Sequence, residues 1–189
     1  MLIGYCYTGS FCTLEASLVA MESLINQGHE IIPIFSYNVR DKDTRFFKAN
    51  DFRHRIQSLC KREIIDDIVT AEPLGPKIKC DVMCVIPCTS NTLAKLRYGI
   101  TDTPVTMAVK AHVRNSKPVV IGMCTNDGFG VSASNYGELL TRANYYFVPV
   151  YQDNINAKPR SLIADMSKVT DTINLAIQGI QIQPIITNK

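Results

Sequence analysis

Short apolar runs alternate with stretches of helical spacing along almost the whole chain. "LIGYCY", residues 2–7, is an extended apolar run that ends in the turn "TGS". Leu14, Leu18, Met21 and Ile25 then recur every three or four residues, as on one face of a helix, and Gly28 is placed to end it. "EIIPIFS" predicts a strand, and Pro33 assigns it to a sheet edge, because proline cannot donate to a ladder. A second helix is predicted from Thr44 to Cys60, with Phe46, Ala49, Phe52, Ile56 and Leu59 on its apolar stripe. Arg45, Lys48, Arg55 and Arg62 lie off that stripe, on a face that is either solvated or turned to a negatively charged ligand or partner. "DVMCVI" has the unbroken, β-branched character of a strand buried on both faces. "TDTPVTMAVKAHVRNS" predicts a helix starting near Pro104, with Val105, Ala108, Val109 and His112 on one side. "KPVVIGMCTND" is another central strand and "YYFVPV" a shorter one. The last helix is expected from about Ser161 to Ile177, with Gly179 closing it. Strand and helix alternate five or six times, which predicts a three-layer α/β/α sandwich around a mainly parallel sheet of about six strands, one domain over residues 1–189.

In open parallel sheets, ligands sit beyond the carboxyl ends of the strands. Those ends are "YTGSFCT", "FSYN", "PCTSNT" and "CTNDGFG", all rich in hydroxyl, amide or glycine. One such loop is an ordinary helix cap; four at one end of a sheet predict a binding crevice. Thr8, Gly9 and Ser10 precede the first helix, where unpaired N–H groups and a partial positive charge favour a phosphate. Neither the G-x-G-x-x-G fingerprint nor the Walker pattern is present, so a mononucleotide with one phosphate fits better than a dinucleotide.

Composition narrows the remaining classes. A hydrophobic content of 46% over 189 residues supports a sizeable core. A net charge of +3 with 20% charged residues argues against non-specific nucleic-acid binding. There is no basic leader, and charges interrupt every run before the ~18 apolar residues of a membrane span, so a soluble, intracellular protein is expected. The seven cysteines form no C-x-x-C pair, which suggests neither a disulfide framework nor an ordinary zinc site. Cys80, Cys84 and Cys88 share one parity and are expected on one strand face, as small core hydrophobes in preference to metal ligands.

"TGS" after the first strand and "PCTSNTLAKLRYGITDTP" after a central one resemble the flavoprotein family of FMN-dependent cysteine and phosphopantothenoylcysteine decarboxylases. Pro87, Asn91 and Thr92 match its P-A-S-A-N-T motif, with Thr89 in the serine place and Cys88 and Ser90 in the alanine places. "GMCTND" is similar to its P-A-M-N, with Asn126 as the asparagine. The resemblance implies a Rossmann-like (flavodoxin-like) sheet, a homo-oligomer, and FMN held by Thr8, Gly9, Ser10, Ser36, Thr89, Ser90, Asn91, Thr92 and Asn126. One departure matters. The decarboxylases carry a histidine eight residues before the aspartate that opens the central strand; counting back from Asp81, this chain has Pro73. The three histidines, His29, His54 and His112, read as structural or solvated, and no catalytic residue is assigned.

"DTRFFKANDF", "AEPLGPK", "NSKPVVIGMCTND", "FVPVYQD" and "KPRSL", taken in order, resemble one branch of that family. These are the flavoprotein-like subunits of a two-subunit oxidoreductase of spore-forming bacteria. The branch implies an A-type partner that binds NADP, a cyclic dicarboxylate substrate that is oxidised to an aromatic ring, and a cytoplasmic, mother-cell location. Arg paired with carboxylate is the strong bidentate case, so Arg45, Lys77 and Arg160 are candidates for a dianionic substrate, each with a surface charge as its rival. Lys158 and Arg160 are expected just before the last helix, where the dipole disfavours cations unless an anion is near. Two other readings stand: a non-catalytic binding or scaffold protein, and a stand-alone FMN-dependent decarboxylase or prenyltransferase, which the missing histidine disfavours.

Overall fold

Four parallel strands make the centre of the sheet in this computed structural model, which describes residues 1–188. β1 (Leu2–Tyr7) lies between β2 (Glu30–Phe35) and β3 (Val82–Cys88), and β4 (Val119–Thr125) follows β3. Every residue of β3 is buried, as its continuous apolar run requires. β2 is the edge strand, where the missing N–H of Pro33 costs least.

The outer edge of β4 is shared. β5 (Tyr145–Phe147) pairs in parallel with Val119–Ile121, and β7 (Leu162–Ala164) pairs antiparallel with Cys124 and Thr125. β6 (Val150–Tyr151) then adds to β7, also antiparallel. The run "YYFVPV" is thus two strands divided at Val148–Pro149, and the sheet has seven strands.

Helices cover both faces. On one side α1 (Leu14–Asn26), α3 (Ala49–Cys60) and α8 (Val169–Ala176) pack on Ile3, Tyr5, Tyr7, Val82, Cys84 and Ile86. On the other, α4 (Ile68–Ala71), α5 (Ser90–Tyr98), α6 (Pro104–Val113) and α7 (Ser132–Leu140) pack on Cys6, Met83, Val85, Cys88, Val119 and Ile121. A short α2 (Tyr37–Asp41) follows β2. Gly75, at φ +155°, lets α4 approach α6: a Cβ there would stand well inside contact distance of the Ala111 carbonyl oxygen. No helix among the described residues is long and apolar enough to cross a membrane.

Three expectations are corrected. Residues 162–164 are a strand, and the last helix begins only at Val169, because Leu162 and Ala164 are buried at period two and Asp165 accepts from Ser167 N–H at 3.1 Å and so starts a new turn. α3 begins at Ala49, five residues late. Thr44 Oγ1 takes the N–H groups of Phe46 and Phe47, and Asp43 takes that of Ala49, so local side-chain bonds replace helical ones. Phe46 is consequently 50% exposed. Helix α7 buries Leu139 and packs Tyr136 and Leu140 on the same core layer, and Arg97 of α5 ties it down through Glu138 at 2.5 Å and Asn135 at 2.9 Å. Lastly, Cys80, Cys84 and Cys88 do not share a face. Cys84 joins one core layer and Cys80 and Cys88 the other: Cys80 precedes β3, outside its alternation, and the β3–β4 register shifts between Val85 and Cys88.

Candidate functional site

The register shift in β3 organises the site from beneath. The Ile86 and Pro87 carbonyls beside it are met by two hydroxyls, Ser17 Oγ donating to Ile86 O and Thr8 Oγ1 to Pro87 O, both at 2.7 Å. Thr8 Oγ1 also accepts from Thr89 N–H at 2.9 Å. The loop after β1 is thereby bonded to the loop after β3 with no solvent between them, since Thr8 is 1% exposed. Thr8 is therefore beneath the site, and the next residues form its surface.

Two helical starts face the same space. After β1, Ser10 leads into a 3₁₀ turn at Phe11–Thr13 that runs on into α1. After β3, Thr89 caps α5 by accepting from Thr92 N–H at 3.3 Å, and its hydroxyl donates to Thr92 Oγ1. The first N–H groups of such segments have no partner within them and carry partial positive charge. After β4, Asp127 turns inward: Thr125 Oγ1 and Ser132 Oγ both donate to its carboxylate, which leaves Asn126 exposed at the rim.

These loops enclose an open cavity of about 390 Å³ at the carboxyl edge of the sheet, a size suited to a cofactor or a small ligand. Gly9, Ser10, Phe11, Cys12 and Thr13 form one side, Thr89 and Ser90 a second, and Cys124, Thr125, Asn126 and Ile163 a third. Arg45 and Phe46 close it from the segment before α3, and Lys158 from the loop before β7. No carboxylate and no histidine is among these lining residues. Burial pushes the Cys124 thiol up to about 11, so it stays protonated. Lys158 is bonded to Asp153 at 2.9 Å, which raises its pKa. Burial alone would raise the Asp153 carboxyl, but hydrogen bonds from Ser161 and Lys158 hold it below the usual range.

Of the expected ligand residues, Gly9, Ser10, Thr89, Ser90, Asn126 and Arg45 line this cavity together. Thr92 is buried behind Thr89, and Asn91 is exposed on the first turn of α5. Ser36 lies at the carboxyl end of β2, where its N–H donates to Tyr7 O; its hydroxyl is buried with no partner among the described residues. Two cations are not brought in. Lys77 is exposed in the turn before β3, at the amino edge, where neighbouring Gly75 packs on the end of α6. Arg160 is exposed outside the wall, and since a strand follows it, no helix dipole acts on it. The basic residues near α3 divide in the same way: Lys48, Arg55 and Arg62 pair with Asp43, Glu15 and Glu30, while Arg45 turns to the cavity.

Phe11, Phe46 and Cys12 are wall residues that sequence patterns did not assign, and of the cation pair Lys158 and Arg160 only Lys158 lines the wall. Phe46 was hidden by its fit to a helical stripe, although the Asp43-Thr44 pair before it is a turn signal. Lys158 stood two positions from Arg160 in a loop with no period to say which side chain turns inward.

The flavoprotein family model matches residues 2–180. The B-type chain of dipicolinate synthase from Bacillus subtilis (strain 168) is 42% identical over 187 residues, 99% of this chain and 94% of that protein. The crystal structure of the corresponding B-type chain of dipicolinate synthase from Bacillus halodurans C superposes with a TM-score of 0.91 at 39% identity, covering 100% of this chain and 96% of that one. DmrB of Burkholderia xenovorans, solved in complex with FMN, shares the fold at a TM-score of 0.63 and 18% identity, over 78% of this chain and 87% of its own. The chain belongs to the flavoprotein family and, within it, to the group of B-type dipicolinate synthase chains.

Proposed function

We propose that this chain is the flavin-binding component of dipicolinate synthase, acting with an NADP-binding A-type partner to oxidise a dihydrodipicolinate-type ring to dipicolinate. The observation that carries the reading is the cavity wall itself, hydroxyls and two cations with no carboxylate, in a chain so similar to B-type chains along its whole length.

The donors suit FMN. Ser36 Oγ, buried beside the loop after β1 without a partner among the described residues, is an unused hydroxyl of the kind a phosphate or ribityl oxygen satisfies. Ser10, Thr89 and Ser90, with the N–H groups at the starts of their helical segments, would hold the phosphate and ribityl chain. Asn91, Thr92 and Asn126 would complete that shell, Thr92 by orienting the Thr89 hydroxyl. Phe11 and Phe46 would give the ring apolar neighbours. FMN, when bound, supplies a ring that takes up a hydride, which no side chain of the wall can do. The absence of a histidine from the wall gives no support to a stand-alone decarboxylase.

The test is spectroscopic first. The purified chain, mixed with FMN, is expected to retain flavin through gel filtration and to show a shifted flavin absorbance, and the same run reports the expected homo-oligomer. With the A-type partner added, the flavin-loaded pair is expected to produce dipicolinate, and neither protein alone. A chain that retains no flavin, or an A-type partner that is fully active by itself, refutes the reading.

A further inference from the structure

The two cations of the wall reach it from opposite sides of the sheet. Arg45 arrives on the segment after α2, from the β2 edge, and its guanidinium lies 4.8 Å from the Phe46 ring centroid with no ion pair among the described residues. Lys158 arrives on the loop before β7, beyond β4. That loop is braced by its own bonds: Lys158 N–H donates to Asn154 O at 2.8 Å, Ser161 N–H to Lys158 O at 3.0 Å, and Gln152 Nε2 to Pro159 O at 2.9 Å. Asp153 accepts both the Ser161 hydroxyl, at 2.5 Å, and the Lys158 ammonium. An ammonium has three donors, so one N–H bond fixes its position and two remain for a ligand.

We propose that Lys158 and Arg45 form a two-point clamp that selects a ring bearing two carboxylates over a ring bearing one. The assignment rests on the functional reading above and adds to it the residues that set substrate class. One cation takes one carboxylate; two cations on opposite walls, with no acidic group lining the cavity between them, match a ring substituted on both sides. Phe46, half exposed beside Arg45, offers an apolar face to such a ring. Asp153 holds the Lys158 ammonium in place by an ion pair and offsets part of the positive charge that the two cations bring to the wall.

Pyridine-2,6-dicarboxylate and pyridine-2-carboxylate are the probes, titrated by calorimetry into the flavin-loaded chain and into the chain without flavin. Affinity for FMN is measured separately by fluorescence quenching. The wild type is expected to hold the dicarboxylate about tenfold more tightly than the monocarboxylate. Lys158→Gln and Arg45→Gln should each remove about tenfold from the dicarboxylate while leaving FMN affinity within about twofold, and Lys158→Arg should recover part of the loss. Unchanged dicarboxylate affinity in both Gln variants overturns the clamp, as does a wild type that binds no dicarboxylate. A loss of FMN affinity in its place assigns the cations to the flavin phosphate and also overturns it. If the clamp behaves as expected while the reconstituted pair makes no dipicolinate, the functional reading fails and the clamp stands. If flavin binds and dipicolinate forms without this discrimination, only the clamp falls.

Discussion

Thr8 and Asn91 both belong to the motif loops, and the structure gives them opposite energetic weights. The Thr8 hydroxyl satisfies a buried carbonyl on one side and a partly buried N–H on the other. Thr8→Val keeps the shape and leaves both groups unpaired, so it should cost about 1–3 kcal/mol in urea unfolding and loosen FMN as the two loops part. Thr8→Ser should restore most of both. Asn91 is exposed, and the cap of α5 is Thr89, so Asn91→Ala should change stability by no more than about 0.5 kcal/mol while lowering FMN affinity. Equal affinity in the two proteins removes Asn91 from the site. The hydroxyl and glycine positions were legible in the sequence because they sit where apolar runs stop. Of the three cations named, only Arg45 lines the cavity, because a charged residue's neighbours do not say which edge of the sheet it occupies. Lys77 and Arg45 look alike in sequence, yet one stands before a strand and the other beyond one.

Among the elements, α6 joins the sheet through a buried histidine. His112, in its last turn, bonds Pro118 O through Nε2 at 3.0 Å, and burial lowers its pKa from 6.5. Its folded pKa lies below the unfolded one, so the unfolded chain takes up the proton first as pH falls. The stabilisation is complete above about pH 6.5 and is lost as pH drops towards the folded value. Thermal melts should therefore show a fall in Tm between about pH 7.5 and 5.5 that is smaller in His112→Gln; an identical fall in both assigns it to other groups. Gly75→Ala tests the packing of α4 on α6. A Cβ driven into a backbone oxygen, at a φ that L-residues avoid, forces the two apart, so a loss of several kcal/mol or of soluble protein is expected. The elements themselves were readable wherever one period dominated, as in β1, α1, β3 and α6. They were misread where side chains bonded the local backbone, as at Asp43 and Thr44, or where a strand of three residues was too short to show its alternation, as in β7.

Across the whole molecule, all seven cysteines are free and only Cys12 is exposed, on the cavity wall. Half-buried Cys60 is pushed up to about 12, so it supplies almost no thiolate at about pH 8. One thiol per chain should react rapidly with a disulfide reagent under native conditions, the other six only on unfolding, and bound FMN should slow the first. Two fast thiols, or a Cys12 indifferent to FMN, contradict the placement. The pairing of β7 with the last two residues of β4 has a consequence for the chain as it is made. The four central strands leave the ribosome first, and with them the glycine and hydroxyl loops that form the floor of the crevice. Lys158 and Ile163 emerge only after β6, so the nascent protein presents a half-walled pocket open on its β4 side. The wall of the crevice is complete only once Ile163 has emerged, and α8, which covers one face of the sheet, comes later still.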